Sequence, residues 1–192
     1  ATGDLDHLLE ARRLASEALR LFHDAPRGGF YLASVDGEHL VARTKSVEDQ
    51  PASSGSSLIS SCLLRLGRIY GDYAWEETAL QSVGAVRAVL ERHPNVFGTL
   101  LGVVQQATTP REIAIVGAPD DPRTLALRAV VDRRFAPWDI VVLGDPADPR
   151  CADVPLLAGR TLVDGGPAAY VCERMACRTP ITDPDALRAA LA

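Results

Sequence analysis

A mainly α-helical chain with a small α/β part is the predicted fold class, and three observations predict it. Apolar residues recur at spacings of three and four through long stretches of the first 109 residues. After Pro110 that pattern gives way to unbroken apolar runs bounded by glycine. Two of those runs flank one amphipathic stretch, which is the order strand, helix, strand. The expected organisation is helical hairpins over residues 1–109 and a small βαβ-containing subdomain over 110–192.

Each element has its own justification. Residues 4–23 place Leu5, Leu8, Leu9, Leu14, Ala18, Leu21 and Phe22 on one stripe, with Asp4 or Asp6 as the cap, and DAPRGG breaks the helix. FYLAS and HLVAR around Asp36-Gly37 predict a β-hairpin over 30–34 and 39–43. A polar loop ends in serines, where Ser53 or Ser54 can cap a helix over 56–70. The expected buried face of that helix carries Leu58, Ile59, Cys62, Leu63, Leu66 and Ile69. Gly71-Asp72 separates it from a helix over 73–92. A third helix, 96–107, is apolar on most sides and is expected to be deeply buried or to touch a partner. Beyond Pro110, REIAIVG and DIVVLG read as buried strands, and Asp121-Pro122 opens the helix between them. Short strands are expected near 160–163 and 169–172, then a last helix capped at Asp183.

Composition bounds the function. The 192 residues are 47% apolar, enough for an ordinary core, and no apolar run reaches the roughly 18 residues of a membrane span. The net charge of −5 argues against nucleic acid, whose phosphates favour a basic face. The N-terminus is acidic and amphipathic, unlike a signal peptide, so the expected location is cytoplasmic with reduced thiols.

Two stretches carry a resemblance. The first, residues 17–66, runs helix, GGFY, hairpin, Lys45-x-x-x-Asp49, SSGSS, helix. The second joins PREIAIVGAPDDPRT to GGPAAYVCERMACRTPITDPDAL. Together they resemble the C-terminal region of the YyaL-type proteins, also called thioredoxin-domain-containing or spermatogenesis-associated proteins. The resemblance implies the last hairpins of an (α/α)-barrel of the six-hairpin glycosidase and N-acylglucosamine epimerase type, followed by a small α/β appendage. It implies as partners the remainder of the barrel and a thioredoxin-like domain, in the same or another chain. One loop departs from the family pattern D-G-x-x-P-S-G-N-S, because Ser53 stands at the proline position and Ser56 at the asparagine position.

Candidate sites follow. Arg43, Lys45, Asp49 and Ser54 lie at the end of the hairpin beside a helix N-terminus and form the expected ligand-binding rim for a small sugar or an anion. The competing reading is a solvated loop whose serine caps a helix. His39 and Asp49 are the acid–base candidates, but Glu48 and Asp49 are neighbours and make no facing carboxylate pair of the kind glycoside hydrolysis needs. The βαβ turn, GAPDDP, lacks the glycines that admit a pyrophosphate, and no cofactor is expected. Cys172 and Cys177 are spaced C-x4-C, with Cys151 as the one available third ligand. Packed thiols are the favoured reading, with a disulfide or redox pair second and a metal site third.

The functional expectation is a supporting or ligand-binding module. A carbohydrate-active barrel enzyme with its site at the 43–57 loop is one alternative, and a redox or metal role for the cysteine pair is another.

Overall fold

Small polar and glycine-containing turns cut the chain into six α-helices and four short strands among the residues described by the computed structural model, 3–38, 41–109 and 111–192. These divide into two units. One contains His7–Gly67 and Asp72–Thr108; the other contains Ala1–Asp6, Arg68–Gly71 and Thr109–Ala192.

The first unit is helical. Helix α1 (Leu5–Phe22) begins at Asp4, whose carboxylate accepts from the Asp6 amide at 2.9 Å. Helix α2 (Gly55–Tyr70) is capped by Ser54, whose Oγ accepts from the Ser57 amide at 3.1 Å. Asp72 caps α3 (Tyr73–Leu90) by accepting from Ala74 and Trp75. A 3-10 turn over Pro94–Val96 leads into α4 (Gly98–Thr108), which buries Leu100, Val103 and Gln106. Phe30, Leu63, Leu64, Ala79 and Phe97 are almost fully buried in this unit.

The buried face of α2 keeps Leu63, Leu66 and Ile69 of the expected one but not Leu58 and Cys62. Leu58 is 50% exposed and Cys62 is exposed, whereas Ser56, Ser57, Ser60, Leu63 and Leu64 are buried. Small side chains let α2 sit close to its neighbours. At Gly67 an added Cβ would lie 2.9 Å from the Asp72 carbonyl oxygen and the Glu76 Cγ. Close packing therefore adds small residues to the apolar face.

The predicted hairpin over 30–34 and 39–43 is also corrected. His39 and Leu40 lie outside the described residues, and the described parts of both arms form turns and bends without a ladder. What remains is an isolated bridge between His23 and Phe30 and a bond from the Leu32 amide to the Thr44 carbonyl. The segment turns instead to serve the site described below.

The second unit holds a four-stranded mixed sheet of order β2-β1-β3-β4. Strands β1 (Glu112–Val116) and β2 (Ile140–Gly144) pair in parallel, joined by α5 (Pro122–Asp132). Asp121 caps α5 and Pro122 takes its first position. Strand β3 (Ala168–Glu173) lies antiparallel to β1, with Cys172 opposite Glu112. Strand β4 (Ala176–Cys177) returns against β3. Ile113, Ile115, Val171 and Leu127 form one core with Leu187 and Leu191 of α6 (Pro184–Leu191). The expected strand near 160–163 is only a bridge from Val163 to Gly166, because Gly165 with positive φ turns the chain at once.

Candidate functional site

The helical unit contains a cavity of about 390 Å³ whose polar wall comes from residues 24–31 and 43–45 and from the start of α2. A tight turn builds it. After α1 the Asp24 carbonyl accepts from the Arg27 and Gly28 amides, and the Asp24 amide donates to Gly29. Gly28 has φ +73°, and a Cβ there would lie 2.7 Å from the Gln81 carbonyl oxygen. Glycine is thus required both for the backbone conformation and for the close approach of α3.

That turn presents Asp24 to two partners. Lys45 Nζ lies 2.7 Å from the Asp24 carboxylate, and the Tyr31 hydroxyl donates to it at 2.7 Å. Lys45 also donates to the Gly28 carbonyl. Hydrogen bonds from Lys45 and then Tyr31 hold the Asp24 carboxyl down at about 2, while the bond to Asp24 raises the Tyr31 phenol above its ordinary value. Asp24 is buried and ionised at neutral pH, and its charge is spent inside the protein.

Arg43 is fixed with equal care. Its guanidinium donates to the Ala33 carbonyl and to the Leu21 carbonyl at the end of α1, and lies 4.2 Å from the centre of the Tyr31 ring. Lys45 Nζ lies 4.9 Å from the same ring centre. Arg27 is exposed, and its guanidinium makes no hydrogen bond or ion pair among the described residues. The cavity lining thus carries three cations, Arg27, Arg43 and Lys45, against one carboxylate, Asp24.

The sequence-predicted residues fall into two groups. Arg43 and Lys45 line the cavity. Asp49 and Ser54 do not line it. The Asp49 carboxylate accepts from the Ser54 amide at 2.9 Å and the Thr99 amide at 2.8 Å, tying the loop to the start of α4. Ser54 Oγ bonds Ser57 Oγ and caps α2. His39 lies outside the described residues. Asp24, Arg27, Tyr31 and Ser56 are cavity residues that sequence reasoning missed. The GGFY motif was the available signal, since paired glycines beside an aromatic and a preceding acid mark a forced turn.

The cavity lining contains no pair of carboxylates. Asp24 is its one carboxylate and is committed to Lys45 and Tyr31. Glycoside hydrolysis needs two carboxyl groups flanking one bond. Half-buried His23 lies tilted against Phe30 at 5.4 Å between ring centres, and burial lowers its pKa. Among the described residues no group of three or more His, Cys, Asp or Glu side chains is placed to hold a metal ion.

In the second unit the favoured packed-thiol reading of Cys172 and Cys177 is corrected. The two sulfurs are bonded to each other across β3 and β4. The Arg178 amide donates to the Val171 carbonyl, which makes Cys172 and Cys177 a non-hydrogen-bonded pair, the register at which opposed side chains approach most closely. A two-residue turn, Arg174-Met175, both with positive φ, brings them there. Neither sulfur is a metal ligand in this state.

Among the described residues no helix is long and apolar enough to cross a membrane. No protein-family model matches the chain. The chain is 30% identical over 182 residues to human spermatogenesis-associated protein 20, covering 93% of this chain and 23% of that protein. The rat and mouse proteins of the same name are each 29% identical over the same share. Over most of its length, therefore, the chain is similar to a segment of spermatogenesis-associated protein 20 that makes up 23% of that protein.

Proposed function

We propose that the chain is the C-terminal module of a protein of the spermatogenesis-associated protein 20 kind, and that its helical unit is a non-catalytic binding module for a small anionic, hydroxyl-bearing molecule such as a sugar phosphate. One observation carries the reading: three cations face the cavity against a single carboxylate that is already paired. Arg27 is the group left to meet an incoming anion, and Arg43 and Lys45 are held over the Tyr31 ring beside it. Ser56 and Ser57 add hydroxyls to the lining. The absence of a second carboxylate from the lining favours binding over glycoside chemistry.

The helical hairpins belong, in this reading, to a larger (α/α) array completed by the remainder of a barrel and accompanied by a thioredoxin-like domain. Leu14 of α1 is 53% exposed and Leu8 and Leu9 are only half-buried, so the apolar stripe of α1 supports a further covering element.

Titration calorimetry with glucose, glucose 6-phosphate and inorganic phosphate tests the reading. Glucose 6-phosphate binds, glucose binds at least about tenfold more weakly, and Arg27→Ala removes most of the difference. Equal affinity for the sugar and its phosphate, or binding indifferent to Arg27→Ala, overturns it.

A further inference from the structure

Arg160 is a half-buried cation of the second unit that faces no carboxylate among the described residues. Its Nη1 donates to the Pro155 and Ala158 carbonyls at 3.2 and 2.9 Å, and its Nε is buried without a partner. Its Nη2 lies 2.8 Å from Cys177 Sγ and 3.8 Å from Cys172 Sγ. No ion pair to Arg160 is formed among the described residues. Burial of the guanidinium lowers its pKa, the mark of a charge short of a counter-ion. A disulfide is neutral and does little for this cation. A thiolate would complete it.

The two sulfurs differ in access. Cys172 is 2% exposed and Cys177 is exposed. Arg111 and Asp139, 3.8 Å apart, line one cavity with Cys172, Glu173 and Arg178. Glu112 stands directly opposite Cys172 across β1 and β3, and its carboxylate accepts from the Met175 amide. Tyr170 keeps its hydroxyl on Thr161. Glu173, Arg174 and Arg178 are exposed on the hairpin itself. The burial of Cys172 disfavours a thiolate there, and Arg160 favours one at Cys177.

We propose that Cys172 and Cys177 form a thiol–disulfide exchange site for small-molecule disulfides, with Cys177 as the nucleophile, Cys172 as the resolving thiol, and Arg160 as the cation that holds the Cys177 thiolate. In the reduced chain the Cys177 thiolate attacks one sulfur of a disulfide RS–SR. The Cys177–S bond forms, the S–S bond of RS–SR breaks, and RS⁻ leaves with the electron pair and takes a proton from solvent. Cys172 then gives its proton to solvent and attacks Cys177 Sγ. The intramolecular disulfide forms and the second RS⁻ leaves and is protonated. Two electrons pass from the cysteine pair to RS–SR, and the bonded pair of the structure is the oxidised product. A thiol or dithiol reverses the sequence by attacking the accessible Cys177 sulfur.

The test uses the full chain, reduced and desalted, with glutathione disulfide as the probe and peptide mapping to separate Cys62 and Cys151 from the pair. In Cys172→Ser a stable mixed disulfide accumulates on Cys177; in Cys177→Ser almost none forms on Cys172. Iodoacetamide labelling of Cys177 against pH gives a profile shifted to low pH, and Arg160→Gln slows labelling at neutral pH about tenfold, the change expected when a thiol pKa rises by about one unit. Arg160→Lys, which keeps the charge, restores most of the rate, and this separates charge from packing. Circular dichroism melting shows that each variant is folded. An unchanged labelling profile in folded Arg160→Gln overturns the proposal. So does adduct formation on Cys172 in preference to Cys177, or a native disulfide that thiols reduce only after denaturant unfolds the chain.

Discussion

The two units handle a half-buried cation in opposite ways. In the helical unit Lys45 sits on an ionised Asp24, which also holds the Tyr31 hydroxyl, so every charge of the triad has its answer inside the fold. In the α/β unit Arg160 rests on two carbonyls and two disulfide sulfurs. Removing one member of a buried pair strands the other charge, whereas removing an unpaired cation strands none. A satisfied pair therefore shapes a cavity, and an unsatisfied cation marks a place where negative charge can be created.

Four changes break or sharpen that contrast. The largest effect belongs to Gly28→Ala, which places a Cβ in a left-handed conformation and against the Gln81 carbonyl. It lowers stability by about 2–4 kcal/mol, measured by urea unfolding. Lys45→Met comes next. It lowers the urea midpoint, and it also changes the acid limb, since Lys45 is the chief cause of the depressed Asp24 value. The direction follows from linkage. Asp24 has a folded value of about 2 against an ordinary 3.8, so its contribution is complete above pH 3.8 and is lost as pH falls through about 2. Midpoints taken from pH 5 to pH 2 fall more steeply for the natural chain than for Lys45→Met, and Asp24→Asn removes that dependence. Parallel slopes in all three proteins would sink this account.

Smaller effects come from the helix caps. Asp72→Ala in the helical unit and Asp183→Ala in the α/β unit each remove side-chain acceptors for helix amides and cost about 1 kcal/mol. Their similarity provides the internal scale. Smallest is Arg160→Met, which shifts stability by less than about 1 kcal/mol because no carboxylate is left uncompensated. A loss as large as that of Lys45→Met would erase the contrast between the units.

Legibility followed the range of the forces. The helices at 5–22, 73–90 and 184–191 and the strand–helix–strand at 112–144 were readable because periodicity, caps and apolar runs are local. The hairpin over 30–43 was misread. Asp36-Gly37 carries hairpin chemistry, but the described parts of both arms turn to bring Tyr31 to Asp24 and Arg43 over the Tyr31 ring. The buried face of α2 was read in part: Leu63, Leu66 and Ile69 are buried as expected, but hydrophobicity ranked Leu58 and Cys62 above Ser56 and Ser60, and close packing buried the small residues. At the site, Arg43 and Lys45 were found because charge is visible in a sequence. Asp24 was not, because its importance depends on a residue 21 positions away.

By itself, then, the sequence determined the mainly helical first part, the βαβ order of the second, the capping residues and the presence of a basic loop. All of these follow from interactions between residues a few positions apart. Only the tertiary structure decided which charges cancel, which sulfurs bond and which cation is left over. Asp24 meets Lys45 through two turns, and Arg160 meets Cys177 through the sheet register. Those pairings depend on distances across the fold, and no local pattern encodes them.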